Sequence, residues 1–308
     1  MYYLAEAFPF VRRWRLPLSR DQVMLLMAAV NLIFLGIDIY LAHDMNGTIV
    51  TNEWIPIIFG PTAGVLLLFA GLIALRNRTL ANLIATVIFF ACLIIAGLGS
   101  YFHLHRALLP EAPPGERVTT ALIVWAPPLL GPLTFALVAV LGLSAAWIED
   151  PIDSGEVSLL GNFKLHMPLS KTRAYFLMIS LFILATVLSS VMDHGRTGFI
   201  NPWLWLPTFA GIFATVAAAA VGIFNRLERG DLLTYAAVMF LLMGVGLIGA
   251  WLHITHNLTG QGAIVDERFL RGAPLLAPLL FANMGLLGLI ALLDPKPGAL
   301  KENDAAVR

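Results

Sequence analysis

Two pentapeptides decide how this chain is read: Gly99-Ser100-Tyr101-Phe102-His103 and Gly249-Ala250-Trp251-Leu252-His253, 150 residues apart. Each ends on a histidine four residues after a glycine. Upstream, His43-Asp44 lines up with Asp193-His194. Downstream, Pro128-Leu129-Leu130-Gly131-Pro132-Leu133-Thr134-Phe135-Ala136 lines up with Pro274-Leu275-Leu276-Ala277-Pro278-Leu279-Leu280-Phe281-Ala282, now 146 apart, so small length changes fall in the connections. A match held at a nearly fixed period is the mark of a tandem duplication. A polar position that recurs in both copies of an apolar background carries more weight than a single one.

The background is strongly apolar. With 59% hydrophobic and 12% charged residues and a mean hydropathy of +0.83, the chain has too little charge to cover a soluble surface. Eight stretches, roughly 22–43, 54–75, 80–103, 118–147, 173–192, 202–224, 232–254 and 273–293, are apolar for long enough to span a bilayer as helices. Backbone groups in hydrocarbon must be paired within their own segment, so helices are expected throughout. The predicted fold is an all-α polytopic membrane protein, two tandem four-helix bundles related by internal duplication. It divides into a lead-in (1–20), a first repeat (21–150), a connection (151–172), a second repeat (173–294) and a tail (295–308). Four spans per copy put both copies in the same sense, related by an axis along the membrane normal.

Orientation follows from the basic residues. Of the 19 Lys and Arg, fourteen fall in segments on the side of the termini and five, Arg106, Arg117, Arg196, Arg268 and Arg271, on the other. The positive-inside rule places both termini in the cytoplasm and predicts the inner membrane of a bacterium. The formal net charge of zero, with no basic tail or Gly-rich phosphate loop, gives no sign of nucleic acid or nucleotide binding. Arg12-Arg13-Trp14-Arg15 precedes an apolar run without a small-residue cleavage site, so that run reads as the first helix of the repeat. Tyr2, Tyr3, Phe8, Phe10 and Trp14 predict an amphipathic lead-in at the inner interface, or an aromatic anchor with no partner. Cys92 stands alone, which argues against disulfides and cysteine-ligated metal. Asn46-Gly47-Thr48 and Asn257-Leu258-Thr259 match the glycosylation triplet, a pattern common by chance.

Six of the seven histidines, His43, His103, His105, His194, His253 and His256, collect at the outer face; His166 lies in the central connection. In an up-and-down bundle the first and third helices sit diagonally across the core, so His43 can face His103 and His194 can face His253. Paired imidazoles on separate helices suit the axial ligation of a b-type haem. Gly99 and Gly249, four residues before their histidines, with Gly36 and Ser190, either admit a macrocycle or let helices approach closely. A transition-metal ion, zinc, copper or iron, is the alternative, held by His43, Asp44, His103 and His105 or by Asp193, His194, His253 and His256. The bland reading is that each imidazole is an interfacial side chain favoured by the helix C-terminus.

Asp38, inside the first span, is a functional candidate as an intramembrane acid without a duplicate: a proton carrier, an orienter of His43 or a hydrogen-bonding group between helices. Pro56, Pro61, Pro127, Pro128, Pro132, Pro207, Pro274 and Pro278 fall in the outer half and are expected to kink helices and open the bundle there. Trp54, Trp125, Trp203, Trp205 and Trp251 share that level as an aromatic belt.

Two tandem four-helix bundles with a histidine pair in each resemble the layout of haem A synthase. In that family the pairs are expected on even-numbered helices within a Glu- and Arg-containing motif. Here they lie on odd-numbered ones without it, and no residue role carries over. The residues predict a membrane redox protein holding haem b or a metal ion near the outer face and exchanging electrons with a quinone or an extracytoplasmic partner. A transporter with duplicated halves and a non-catalytic membrane subunit of a larger complex are the alternatives.

Overall fold

The computed structural model describes residues 3–14, 16–45, 47, 49–108, 112–125, 128, 130–158, 163–224, 226–293 and 295. Its long helices are α2 (Arg20–Asp44), α3 (Trp54–Ile73), α4 (Arg78–Ala107), α6 (Leu130–Ala146), α7 (Lys171–Gly195), α8 (Trp205–Ile223), α9 (Arg229–Asn257) and α11 (Leu276–Ala291). Short helices α1 (Tyr3–Ala7), α5 (Thr120–Trp125) and α10 (Asp266–Arg271) join them. The chain is all-α in class, and among the described residues six helices are long and apolar enough to cross a membrane. Their outward faces carry large apolar side chains, among them Leu66, Phe69 and Leu72 on α3 and Phe209, Phe213 and Val216 on α8. Such a surface suits lipid rather than water.

The segments expected as fourth and eighth spans are shorter than the sequence predicts. In place of 118–147 stand α5 and the 17-residue α6, and in place of 273–293 the 16-residue α11. At 1.5 Å per residue each long piece reaches about 25 Å, against a hydrocarbon core of about 30 Å. Proline sets these starts. Pro132 and Pro278 are each the third residue of their helix, as are Pro56 in α3 and Pro207 in α8. First-turn N–H groups have no intrahelical acceptor, so the missing donor costs nothing there. Pro127 lies outside the described residues.

In the N-terminal half α2 packs on α3 and α6, and α4 on α3 and α6, a ring of four with α2 and α4 on one diagonal. In the C-terminal half α7, α8, α9 and α11 make the same ring, with α7 opposite α9. Close approach depends on glycine. A Cβ on Gly142 of α6 would strike the Phe89 ring of α4, and one on Gly288 of α11 would strike Met239 of α9. The halves meet through α2 against α11 and α6 against α7, and Met24, Leu141 and Ala145 of the first half join the core of the second.

The lead-in is divided between buried and exposed side chains. Ala5 and Ala7 are buried, Leu4 N–H donates to the Leu292 carbonyl (2.9 Å), and Tyr3 meets Phe176 edge-on at 5.9 Å. It therefore docks on the C-terminal half, and burial raises the Tyr3 phenol above its ordinary pKa. Phe10 and Trp14 remain exposed; Tyr2 lies outside the described residues. In the connection, β1 (Ile148–Glu149), β2 (Glu156–Ser158) and β3 (Lys164–His166) form an antiparallel sheet in that order, with Ile148 opposite Ser158 and Glu156 opposite His166.

Candidate functional site

Helices α2 and α7 are both 25 residues long, and His43 and His194 each stand one residue before the end. At this offset of 151, His43 matches His194 itself, and Asp44 no longer matches Asp193. Helices α4 and α9, of 30 and 29 residues, bring His103 and His253 to the same end of the molecule.

In the N-terminal half His43 and His103 come together, ring centroids 6.1 Å apart and planes at 67°. His43 Nδ1 lies 2.8 Å from the Ile39 carbonyl, and His103 Nδ1 lies 2.9 Å from the Pro128 carbonyl. A carbonyl only accepts, so each Nδ1 carries a hydrogen, and in the neutral ring Nε2 is then the nitrogen with the lone pair. In the C-terminal half His253 Nδ1 donates to the Pro274 carbonyl at 2.8 Å, a bond of the same kind. Proline explains the pairing. Pro132 and Pro278 follow Pro128 and Pro274 by four residues and have no N–H to offer those carbonyls, so the imidazoles supply a donor. His194 lies within electrostatic range of His253 and in reach of the Leu204 carbonyl, with Ser190 Oγ 3.5 Å from its Nδ1.

The glycines beside these histidines seat prolines. A Cβ on Gly99 would stand 2.8 Å from Pro132 Cβ, one on Gly249 2.9 Å from Pro278 Cβ, and one on Gly36 would strike the Pro61 ring. The prolines therefore close the bundle where the sequence led us to expect it opened. The room a macrocycle would need at these three points is filled by protein.

Other predicted residues stay apart from the pairs. His105 and His256 are exposed; His105 lies near Tyr101 (6.1 Å between rings), and the His256 carbonyl accepts from Arg268 Nη2 at 3.0 Å. Asp193 pairs with Arg196 at 3.9 Å. Asp44 is half-buried in the last turn of α2, and Asp38 is half-buried and within electrostatic range of Asp193 across the two halves. Among the described residues, no three His, Cys, Asp or Glu side chains form a group already placed to hold a metal ion. Trp54, Trp203, Trp205 and Trp251 are exposed, as a belt requires.

Sequence reasoning missed Glu53. Its Oε1 lies 3.8 Å from His43 Nε2 and 3.8 Å from Arg106 Nη1, while Oε2 accepts the Val50 N–H at 3.0 Å. Ten residues separate Glu53 from His43, and only the turn into α3 brings them together.

A second group was missed at the opposite end. Asp21 Oδ2 accepts from Lys171 Nζ at 2.5 Å, and Asp21 Oδ1 accepts from Tyr175 Oη at 3.0 Å and Arg20 Nε at 3.3 Å. Lys171 Nζ also donates to the Trp147 carbonyl (2.6 Å), and Arg20 Nη1 to Thr172 Oγ1 (2.6 Å). Arg20 lies over the Tyr175 ring at 4.8 Å. Arg20 and Lys171 are 1% and 2% exposed, so this is a buried network, not a rim of solvated charge. A signal existed: Pro17-Leu18-Ser19-Arg20 repeats as Pro168-Leu169-Ser170-Lys171 at the same offset of 151. Ser19 and Ser170 cap α2 and α7 by accepting from Gln22 N–H (3.3 Å) and Arg173 N–H (3.4 Å).

Comparison of the chain with protein-family models, with curated protein sequences and with solved structures finds no match in any of the three.

Proposed function

We propose that this is an integral membrane protein of eight membrane-embedded helices in two duplicated halves, both termini cytoplasmic, whose paired histidines bind a transition-metal ion near the extracytoplasmic face. Duplication is supported by the matched rings of helices, the matched serine caps and the His103–Pro128 and His253–Pro274 bonds. Orientation rests on the excess of Lys and Arg at the end carrying the termini.

The observation that carries the metal reading is the His43–His103 pair. Both Nδ1 atoms are committed as donors, which fixes the tautomer and leaves Nε2 free, the arrangement found behind histidines that ligate metals. Two imidazole nitrogens each about 2.0 Å from one tetrahedral ion set ring centroids about 5 Å apart; the rings stand at 6.1 Å, so the pair closes by about 1 Å to share an ion. The filled glycine notches favour a bare ion over haem b. With copper or iron in place, the site is an electron carrier facing a quinone or an extracytoplasmic redox partner. Elemental analysis and an absorption spectrum on one sample of detergent-purified protein test this. A transition metal is expected to co-purify and to be lost on His43→Ala; a preparation grown with ample metal and haem that carries neither would refute the reading.

A carrier is the second reading, favoured by one observation: Asp38 on α2 and Asp193 on α7 lie within electrostatic range across the junction of the halves. An intramembrane acid such as Asp38, near a second carboxylate at such a junction, suits ion-coupled transport. Cation uptake into proteoliposomes that Asp38→Asn abolishes would put transport first. No uptake by the parent protein removes it.

A further inference from the structure

We infer that the two histidine pairs are unequal: only the first half holds an ion, and Glu53 is its third ligand. The inference rests on the metal reading above and deepens it. At the offset of 151 that superposes His43 on His194, Glu53 falls on Leu204; at the offset of 150 that superposes His103 on His253, Arg106 falls on His256. Neither the carboxylate nor the guanidinium is repeated.

In the first half Glu53 Oε1 already stands 3.8 Å from His43 Nε2. The Val50 N–H on Oε2 holds the carboxylate by its other oxygen, and a bond of that kind orients a ligand from behind. His43 and Glu53 side chains are each 17% exposed, reachable by an ion from the adjoining water yet shielded from bulk solvent. A short inward swing of Oε1 gives two imidazole nitrogens and one carboxylate oxygen, a donor set suited to a divalent first-row transition ion with positions left for water. Arg106, whose side chain is 69% exposed, gives way without leaving a buried charge unpaired.

In the second half the position aligned with Glu53 is Leu204, whose side chain offers no ligand atom. The His194 imidazole has Ser190 Oγ at its Nδ1 and the edge of Phe199 at 6.0 Å, and Phe199 is itself stacked on Trp205 at 4.3 Å. The neighbouring acid, Asp193, faces Arg196, which is tied to the Val124 carbonyl at 3.0 Å. His194 is thus packed among protein groups, and the carboxylate beside it is one residue away on the same helix, paired with Arg196, rather than brought in from a neighbouring turn as Glu53 is.

The test is zinc binding to the full-length purified protein, stripped with chelator and then dialysed against Zn²⁺, with bound metal counted by elemental analysis. One zinc per chain is expected. Glu53→Gln, which keeps the acceptor for Val50, should weaken binding by about ten-fold or more, and His43→Ala should abolish it. His253→Ala should leave both number and affinity unchanged. Two zinc ions per chain or a single ion lost on His253→Ala would overturn the inequality, and parent affinity in Glu53→Gln would overturn the ligand role of Glu53, each while leaving metal binding in place. No zinc at all would overturn both. Size-exclusion profiles matching the parent show that each variant is folded.

Discussion

Asp21→Ala is expected to be the most damaging single substitution in the chain, costing about 3–5 kcal/mol as removal of one member of a buried ion pair does. Its carboxylate takes hydrogen bonds from Lys171, Tyr175 and Arg20, and both cations are almost wholly buried. Without it Lys171 Nζ keeps, among the described residues, the Trp147 carbonyl. Arg20 keeps Thr172 Oγ1 and the face of Tyr175, with its Nη2 already without a partner among the described residues. Asp21 and Arg20 belong to the first half, Lys171, Thr172 and Tyr175 to the second, so the loss falls on the junction. Thermal unfolding in detergent measures it. The double substitution Asp21→Ala with Lys171→Met removes a charge together with its partner and should recover part of the loss. A midpoint unchanged by Asp21→Ala would show that the cluster does not hold the halves together.

Glu149→Ala follows, with an expected cost of about 3–5 kcal/mol. This carboxylate is 8% exposed and collects three backbone donors: Gly155 and Lys171 N–H on Oε1, both at 2.9 Å, and Asp153 N–H on Oε2 at 3.1 Å. Bonds to a charged acceptor are each worth about 1.5–3 kcal/mol, and Lys171 is the first residue of α7, where a negative charge also meets the positive end of the helix dipole. Glu149 therefore clamps the connection onto that helix. Gly155, at φ +77° and with the Met167 carbonyl 2.6 Å from where a Cβ would stand, lets the backbone come in so close. Glu149→Gln should fall between parent and Ala, since it keeps one acceptor oxygen. Limited proteolysis across residues 150–170 should accelerate in the same order. Equal protection of all three proteins would dismiss the clamp.

Much of the fold was legible because it is written locally. The length of each apolar run, the proline positions and the recurrence of glycine four residues before a histidine are properties of neighbours in sequence, and they place α2, α4, α7 and α9 with their imidazoles at one end. Proline was read for its loss of a hydrogen bond, correctly, but its side chain was not. Whether Pro132 props a bundle open or fills the notch at Gly99 depends on the angle at which α6 meets α4, which no local pattern contains.

The sequence by itself determined an apolar helical chain with a repeated pattern and histidines near helix ends, since hydrophobic length and identity need no partner to be read. Only the tertiary structure decided that α6 and α11 fall short of a full span, that Glu53 stands by His43, and that Asp21 joins Arg20 to Lys171 and Tyr175 some 150 residues away. The reason is physical: a buried charge is tolerable only beside its partner, and which residues become partners is settled when helices distant in sequence pack.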